Sequence, residues 1–384
     1  MIGHLCTDIN QGALPALLPF LVLHKDISYA SAAGLIFAAN CVSSVIQPLF
    51  GYLGDKGSRP WLMGLGAFLA GTGLAFVGFL DNYWSIFIAV AVSGTGVALF
   101  HPEGGRLANL AAGEKKGSGI ALFSVGGNIG FAVGPIIASV SLTVFGLKGT
   151  AVFLLPAVAM LIVTFSAQKG LALLSTQAQR KRASEKHTAD EDDWKAFFRV
   201  SACATSRSVV AYGMTTFIPL YFTGVMMMSA SSASITLAFF CAIAAIATLF
   251  GGQASDRFGF HQVIRGGFLL LAPLLLLFPL IENVWLAIFL LLPIAIGVNA
   301  PLAPSIALAH KFLPNHIGTS SGIILGLAIS IGGMITPGIG WVGDNYGLPA
   351  AMYIVAGFAV LTLYLSFLIP VRQEKRVQPP STGS

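Results

Sequence analysis

Long apolar runs alternate with short polar stretches along the whole chain. The runs fall at about residues 1–23, 31–53, 61–80, 84–110, 118–142, 150–168, 196–224, 231–251, 262–281, 284–309, 317–340 and 348–370. A helix of about 20 apolar residues, rising 1.5 Å per residue, crosses a hydrocarbon core of ~30 Å. The alternating ten-residue segments of a membrane barrel are absent from the pattern. The expectation is an all-α membrane protein of twelve transmembrane helices. Several runs hold prolines (Pro15, Pro19, Pro48, Pro135, Pro219, Pro273, Pro301 and Pro337), which such helices tolerate where neighbours satisfy the backbone.

Polar residues inside these runs change the picture most. The fourth run opens near Tyr83 and carries no charge from Trp84 to Phe100; then His101, Pro102, Glu103 and Arg106 arrive together. Continued helically to about Ala112, it would be ~45 Å long, placing His101 past mid-depth and Arg106 near an interface. Ionisable groups at that depth are costly and face a cavity or a partner. Pro102 removes a backbone donor and should bend the helix. Two readings of Glu103 stand: it pairs with Arg106, three residues on, and anchors the helix end, or its charge is coupled to the interior through His101. In the first run His4, Asp8 and Gln11 share one helical face, which should point into the bundle. The seventh run holds Arg207, and the tenth holds Asn299 between Gly297 and Pro301. Either these groups meet in one interior site or they are unrelated buried pairs.

Composition agrees with a membrane protein. The chain has 384 residues, 55% hydrophobic and 9% charged, with a mean hydropathy of +0.82, against roughly 25% charged residues in soluble domains. The net charge of +6 could suggest nucleic acid, but the distribution of the bases gives another cause. An even number of spans puts both termini on one side. Of 21 Lys and Arg, only Lys25 and Lys148 fall in the opposite loops and Arg207 in a span, leaving 21 − 3 = 18 on the terminus side. That bias makes the terminus side cytoplasmic. Cys6, Cys41, Cys203 and Cys241 are scattered through apolar spans without a CxxC and read as reduced packing residues. The first residues show no basic stretch followed by a cleavage site, so no removable leader is expected. No HExxH or clustered Cys/His spacing supports a membrane-embedded metalloenzyme; neither cofactor nor metal is expected.

The longest polar stretch, 169–195, contains Arg180-Lys-Arg182 and then Asp190-Glu-Asp-Asp193, and reads as a mobile cytoplasmic linker loop. It divides the chain into an N-terminal six-helix bundle, 1–168, and a C-terminal one, 196–372, with a disordered tail at 373–384. An internal repeat supports the division. Gly51-Tyr-Leu-Gly-Asp55-Lys56 follows the second span and Gly252-Gln-Ala-Ser-Asp256-Arg257-Phe-Gly259 the eighth, the aspartates 256 − 55 = 201 residues apart; Gly12 and Gly213 share that offset. Parallel halves of this kind are a transporter signature. A third echo, Gly340-Trp-Val-Gly-Asp344-Asn-Tyr-Gly347, follows the eleventh span on the opposite face.

The loop after the second span resembles the signature of the major facilitator superfamily, through Gly51, Asp55, Lys56 and Arg59; Ser58 and Pro60 depart from it. In the fifth span Gly126, Gly130 and Gly134-Pro135 resemble in part the glycine/proline motif of facilitator antiporters, and ordinary small-residue packing is an equal reading. His4-Leu-x-x-Asp8-x-x-Gln11, Phe100-His-Pro-Glu103, the Gly126-Gly-Asn128-Ile-Gly130 ridge and Ser206-Arg207 are similar to the fosmidomycin-resistance branch of that superfamily, which carries roughly a further half span ahead of the histidine.

The resemblance implies a major facilitator fold, two pseudo-symmetric bundles around a central cavity lined by spans 1, 4, 7 and 10, working by alternating access. It implies a monomeric, proton-driven exporter of a small drug-like substrate, of the phosphonate class, in the bacterial inner membrane. On this reading Asp8, Glu103, His101 and His4 carry protons. Arg207, Gln11, Asn299 and Asn128 bind substrate, Arg207 supplying charge for an anion. Gly51, Asp55, Lys56, Arg59, Asp256 and Arg257 form the gate. A proton symporter importing a small organic anion would use the same residues, and a non-transporting receptor would bind without flux.

Overall fold

The computed structural model describes residues 1–56, 59–111, 116–182, 191–314, 316, 320 and 322–371. For 43–56, 109–111, 116–121, 172, 174–182, 322, 325, 326 and 329 it describes the backbone alone. Among these residues the chain is helical throughout, with no strand. The helices are α1 (Ile2–Lys25), α2 (Tyr29–Lys56), α3 (Trp61–Phe76), α4 (Tyr83–Ala111), α5 (Lys116–Phe145), α6 (Leu154–Arg182), α7 (Trp194–Gly224), α8 (Ala230–Phe258), α9 (Phe260–Leu277), α10 (Val284–Asn299), α11 (Leu302–Phe312), α12 (Ala328–Tyr346) and α13 (Leu348–Phe367). In lipid no water is at hand for backbone groups, so helices that close their own hydrogen bonds are the stable solution. Eight helical stretches of the described residues are long and apolar enough to cross a membrane, one of them joining α5 to α6 through 3-10 turns.

Local chemistry sets the helix ends. Asp193, Ser229 and Asn283 cap α7, α8 and α10 by accepting from Ala196 N at 2.9 Å, Ser232 N at 3.1 Å and Leu286 N at 3.0 Å, which satisfies amides the helix leaves unpaired. Gly259 and Gly347, three residues after Asp256 and Asp344 in two copies of the repeat, end α8 and α12 at φ of 93° and 87°, a region costly for a side chain. Prolines act unequally. Pro301 divides the tenth span, so that α10 and α11 are its two parts. Pro102 lies within a continuous α4.

One expectation changes here. The stretch 169–195, read as a loop, is helical as far as Arg182, where α6 ends. After Gly170 the residues Leu171-Ala-Leu-Leu and Gln177-Ala-Gln-Arg are good helix formers, and a helix needs no apolar periodicity once it leaves the bilayer. Residues 183–190 and the tail beyond 371 lie outside the described residues. Helix α7, at 31 residues, is long enough to span, although Arg207 and its many hydroxyl residues dilute its apolar character.

Packing builds the interior. The glycine ridge of α5 lies on α1: a Cβ on Gly130 would sit 2.7 Å from Leu5 O and 2.9 Å from Ile9 N, and one on Gly134 2.7 Å from Ala13 N. Of the two readings of that ridge, close packing is the one the geometry displays. The chain's two parts meet through α2 against α12 and α5 against α8. Their cross-contacts concentrate at the face away from the termini. There Asp344 accepts from Tyr29 N at 2.7 Å and Ala30 N at 2.9 Å, Ser139 Oγ meets Ser231 Oγ at 2.6 Å, and Ser234 Oγ donates to Ala16 O at 2.9 Å. At mid-depth Tyr212 Oη donates to Asn40 Oδ1 at 3.0 Å. On the terminus side no hydrogen bond joins the two parts among the described residues.

Candidate functional site

Three residues from α1 and α4 converge beneath that mid-depth bridge. His4 Nε2 lies 3.0 Å from Asp8 Oδ2 and 3.0 Å from His101 Nε2, and His101 Nε2 lies 3.2 Å from Asp8 Oδ1. The i, i+4 spacing on α1 stacks His4 over Asp8, while α4 brings His101 across. Each ring is held from behind: His4 Nδ1 donates to Phe123 O at 2.8 Å and His101 Nδ1 to Val97 O at 2.9 Å. A carbonyl can only accept, so both Nδ1 atoms carry hydrogens, and two neutral rings would point bare Nε2 lone pairs at each other. The contact therefore requires one cation more than two neutral imidazoles and a carboxylate supply. Asp8 is 3% exposed; its Oδ1, though close to His101, accepts no well-directed hydrogen bond among the described residues. Phe123 stacks on His4 at 3.9 Å between centroids. Gly127 closes the wall, where a Cβ would stand 2.7 Å from both His4 Nε2 and Asp8 Oδ2.

Glu103 is not part of this cluster. Buried at 3% exposure, it receives Arg106 Nη2 on Oε1 at 2.8 Å and Arg106 Nε on Oε2 at 3.1 Å, and Oε1 also accepts from Arg59 N at 3.2 Å. This is the helix-end pairing, with an addition the sequence did not suggest: the same carboxylate ties α4 to the loop after α2. Glu103 lies two positions on from His101 and, at 100° per residue, faces another way.

Across the molecule, Arg207 is 6% exposed. Its Nε donates to Val298 O at 2.8 Å and its Nη2 reaches Asn299 Oδ1 at 3.5 Å. No carboxylate among the described residues forms an ion pair with it, an expensive state for a buried cation. Tyr212, one and a half turns further along α7, lies within electrostatic reach of both Arg207 and Asp8. A cavity of about 60 Å³ opens beside it, its polar lining drawn from Asn10, Gln11, Asn40, Ser93, Tyr212 and Thr215. Asn10 Oδ1 is buried there without a hydrogen-bond partner among the described residues.

The site residues expected from sequence thus separate into groups. His4, Asp8 and His101 meet; Gln11 lines the cavity; Arg207 and Asn299 meet each other. Asn128 is half-buried and does not line the cavity. The tenth span does not line this small cavity either, while α2, α5 and α8 do. Asn40 and Tyr212 were missed; an amide and a phenol inside apolar spans were the signal that could have found them. Of the gate residues, Arg59 offers its amide to Glu103, and Arg257 stands 5.3 Å over the Phe258 ring beside an exposed Asp256 that makes no ion pair with a described residue. Gly51, Asp55 and Lys56 end α2, with side chains outside the described residues.

Apolar helices enclosing a buried, charged and partly hollow interior define a multi-pass membrane transporter. A model of the Major Facilitator Superfamily matches residues 1–337 and 228–384, and the chain belongs to that family: a transporter, not an enzyme. An uncharacterized MFS-type transporter, YfnC, of Bacillus subtilis (strain 168) is 31% identical over 380 residues, covering 98% of this chain and 92% of that protein. The fosmidomycin resistance protein of Escherichia coli (strain K12) is 28% identical over 391 residues, covering 97% and 92%. Among solved structures, a bacterial homolog to the human lysosomal transporter Spinster, in an inward-facing and occupied conformation, matches with a TM-score of 0.76 at 17% identity, over 96% of this chain and 94% of that one. The twelve-helix, two-bundle fold expected from the sequence is the fold of this family.

Proposed function

We propose that this chain is a proton-coupled secondary transporter that exports a small drug-like anion, of the phosphonate class, by alternating access. The observation that carries this reading is Arg207, buried and without a carboxylate partner among the described residues, on the helix whose Tyr212 lines the mid-depth cavity and lies within electrostatic reach of both Arg207 and Asp8. A buried guanidinium that only a carbonyl and an amide satisfy is a site waiting for an anion. Asp8 with His4 and His101 carries the proton; Glu103, bound to Arg106 and the loop after α2, serves the gate. The similarity to a protein named for fosmidomycin resistance supports the substrate class.

In this reading the bundles 1–168 and 196–372 rock about the cavity in a bacterial inner membrane, both termini cytoplasmic, and the carrier works as a monomer. The hydrogen bonds across the far face, with none joining the two parts on the terminus side among the described residues, support a state closed to the outside. Substrate enters from the cytoplasm and neutralises Arg207; protonation at Asp8 favours release outside, before the empty carrier returns. The gradient is ample, since each pH unit supplies ~1.4 kcal/mol per proton. A symporter importing a small organic anion would load the same two sites together.

Flux separates the two. Purified protein in proteoliposomes, given a pH gradient in either direction, should drive fosmidomycin against the proton flow. Uptake running with the protons would replace export by symport, and binding without flux in either direction would remove the transport reading altogether.

A further inference from the structure

Linear spacing along the chain offers no metal motif, yet the fold assembles a ligand set. We propose that His4, Asp8 and His101 form a binding site for a divalent first-row transition metal ion, zinc foremost. The two imidazole Nε2 atoms lie 3.0 Å apart, that of His4 stands 3.0 Å from Asp8 Oδ2 and that of His101 3.2 Å from Asp8 Oδ1, so one donor atom from each residue falls within 4.8 Å of the other two. Around a tetrahedral zinc with bonds of ~2.0–2.1 Å, neighbouring donors stand about 3.3 Å apart. The cluster needs to open by only a few tenths of an ångström to hold the ion. Two histidines and one carboxylate leave a fourth position for water, as in open zinc sites. Imidazole donors favour Zn²⁺, Co²⁺ or Fe²⁺ over Mg²⁺ and Ca²⁺, which take oxygen.

Three further observations point to a cation at this spot. Both rings donate Nδ1–H to backbone carbonyls, Phe123 O and Val97 O; that is the outer-shell arrangement which fixes the Nε2 lone pair toward a metal. Asp8 Oδ1 is buried and, with His101 Nε2 at 3.2 Å, accepts no well-directed hydrogen bond among the described residues, so an acceptor inside the cluster is left poorly satisfied. The Nε2–Nε2 contact of 3.0 Å is repulsive between neutral rings and calls for positive charge between them. A proton on one Nε2 answers that need for one contact; a divalent ion answers it for all three donors, and on binding it displaces that proton to water. His101 exposes 25% of its side chain, so the ion has a way in.

The site matters to transport through the proposed function: an ion occupying the cluster holds Asp8 and His101 in one arrangement and keeps the proton out. Metal binding itself does not depend on that reading, and the experiment keeps the two apart. The purified full-length protein in detergent is titrated with Co²⁺, whose visible absorption reports few-coordinate nitrogen and oxygen ligation, and Zn²⁺ is then added in competition. One Co²⁺ per chain should bind, and Zn²⁺ should displace it. His4→Gln, Asp8→Asn and His101→Gln should each weaken binding by more than the ~10–100-fold that losing an outer-shell partner costs. His316→Gln removes the other His–Asp pair, with Asp192 at 2.8 Å, and should leave the titration unchanged. His101→Cys keeps a metal ligand, so it should restore binding with an added thiolate-to-cobalt band in the near ultraviolet, and it shows that loss in the glutamine variants is not loss of fold. Wild-type protein that takes up no Co²⁺, or binding that survives His101→Gln, overturns the site. Zn²⁺ that binds at the cluster while proteoliposome flux continues unchanged confirms the site and overturns the placing of Asp8 in the transport cycle.

Discussion

The two parts of the molecule treat buried charge in opposite ways. Among the described residues of the N-terminal part the buried acids are gathered with other ionisable groups, Asp8 with His4 and His101 and Glu103 with Arg106. In the C-terminal part Arg207 stands with only a carbonyl and an amide. Gathered groups exchange a small cation among themselves at little cost, because each state of the cluster has partners. A lone guanidinium gains only when something anionic arrives from outside. The first arrangement suits the ion that drives a cycle, the second the cargo, and Tyr212 and Asn40 join them across the cavity through one hydrogen bond.

Substitutions test that contrast, and the largest effect should come from Asp8. Asp8→Asn keeps the shape and should abolish uphill transport in proteoliposomes while exchange of labelled substrate across the membrane persists. Transport that still concentrates substrate would move the driving ion elsewhere, and the contrast with it. Arg207→Gln should weaken binding of an anionic substrate by roughly 10- to 100-fold, from about 1.5–3 kcal/mol for hydrogen bonds to a charged group. A neutral analogue should bind the variant as it binds the wild type, and an equal loss for both would make Arg207 a structural residue.

A smaller effect is expected at the far face. Asp344→Asn weakens two charge-assisted bonds to the first amides of α2, where the helix end favours an anion. Cysteine labelling of outer cavity positions should rise a few-fold, with substrate affinity changed little. Unaltered labelling would show that this contact does not hold the face shut. The smallest effect belongs to Asp81, an exposed loop residue whose carboxyl the Lys25 hydrogen bond and charge hold below the ordinary range. A depressed acid gives its contribution above the unfolded value and loses it as pH falls through the folded one. Stability of wild type and Asp81→Asn should therefore run parallel between pH 5 and 8 and converge only below about pH 4. A difference that changes near neutrality would mean another group titrates there.

Much of this was legible in the chain. Twelve apolar runs and duplicated Asp-containing turns led to the fold, and the i, i+4 step from His4 to Asp8 put both on an interior face. What stayed hidden depends on which helices touch. His101 and Glu103 are two residues apart and were read together, but the helix turns them to different neighbours, one to α1 and the other to Arg106 and the loop after α2. Asn299 looked like cavity lining because its span was assigned there; in three dimensions it holds Arg207. Asn40 and Tyr212 sit 172 residues apart, beyond any periodicity. Pro301 divides its span and Pro102 does not, a difference that neighbours decide and the residue alone does not.

The bonds from Asp344 to α2 also bear on how leaky such a carrier can be. Two charge-assisted hydrogen bonds to an exposed carboxylate, each worth about 1 kcal/mol or less once solvent screens it, would lower the outward-open fraction at rest by up to about 30-fold. That fraction is a throttle. On the proposed export cycle, loosening it would speed each round trip and let more protons slip through unaccompanied, whereas tightening it would save the gradient and slow clearance of the substrate. A cell facing sudden poisoning and a cell living on a thin energy supply would place that balance differently, and the carboxylate at 344 is where the balance can be moved without touching cargo or driving ion.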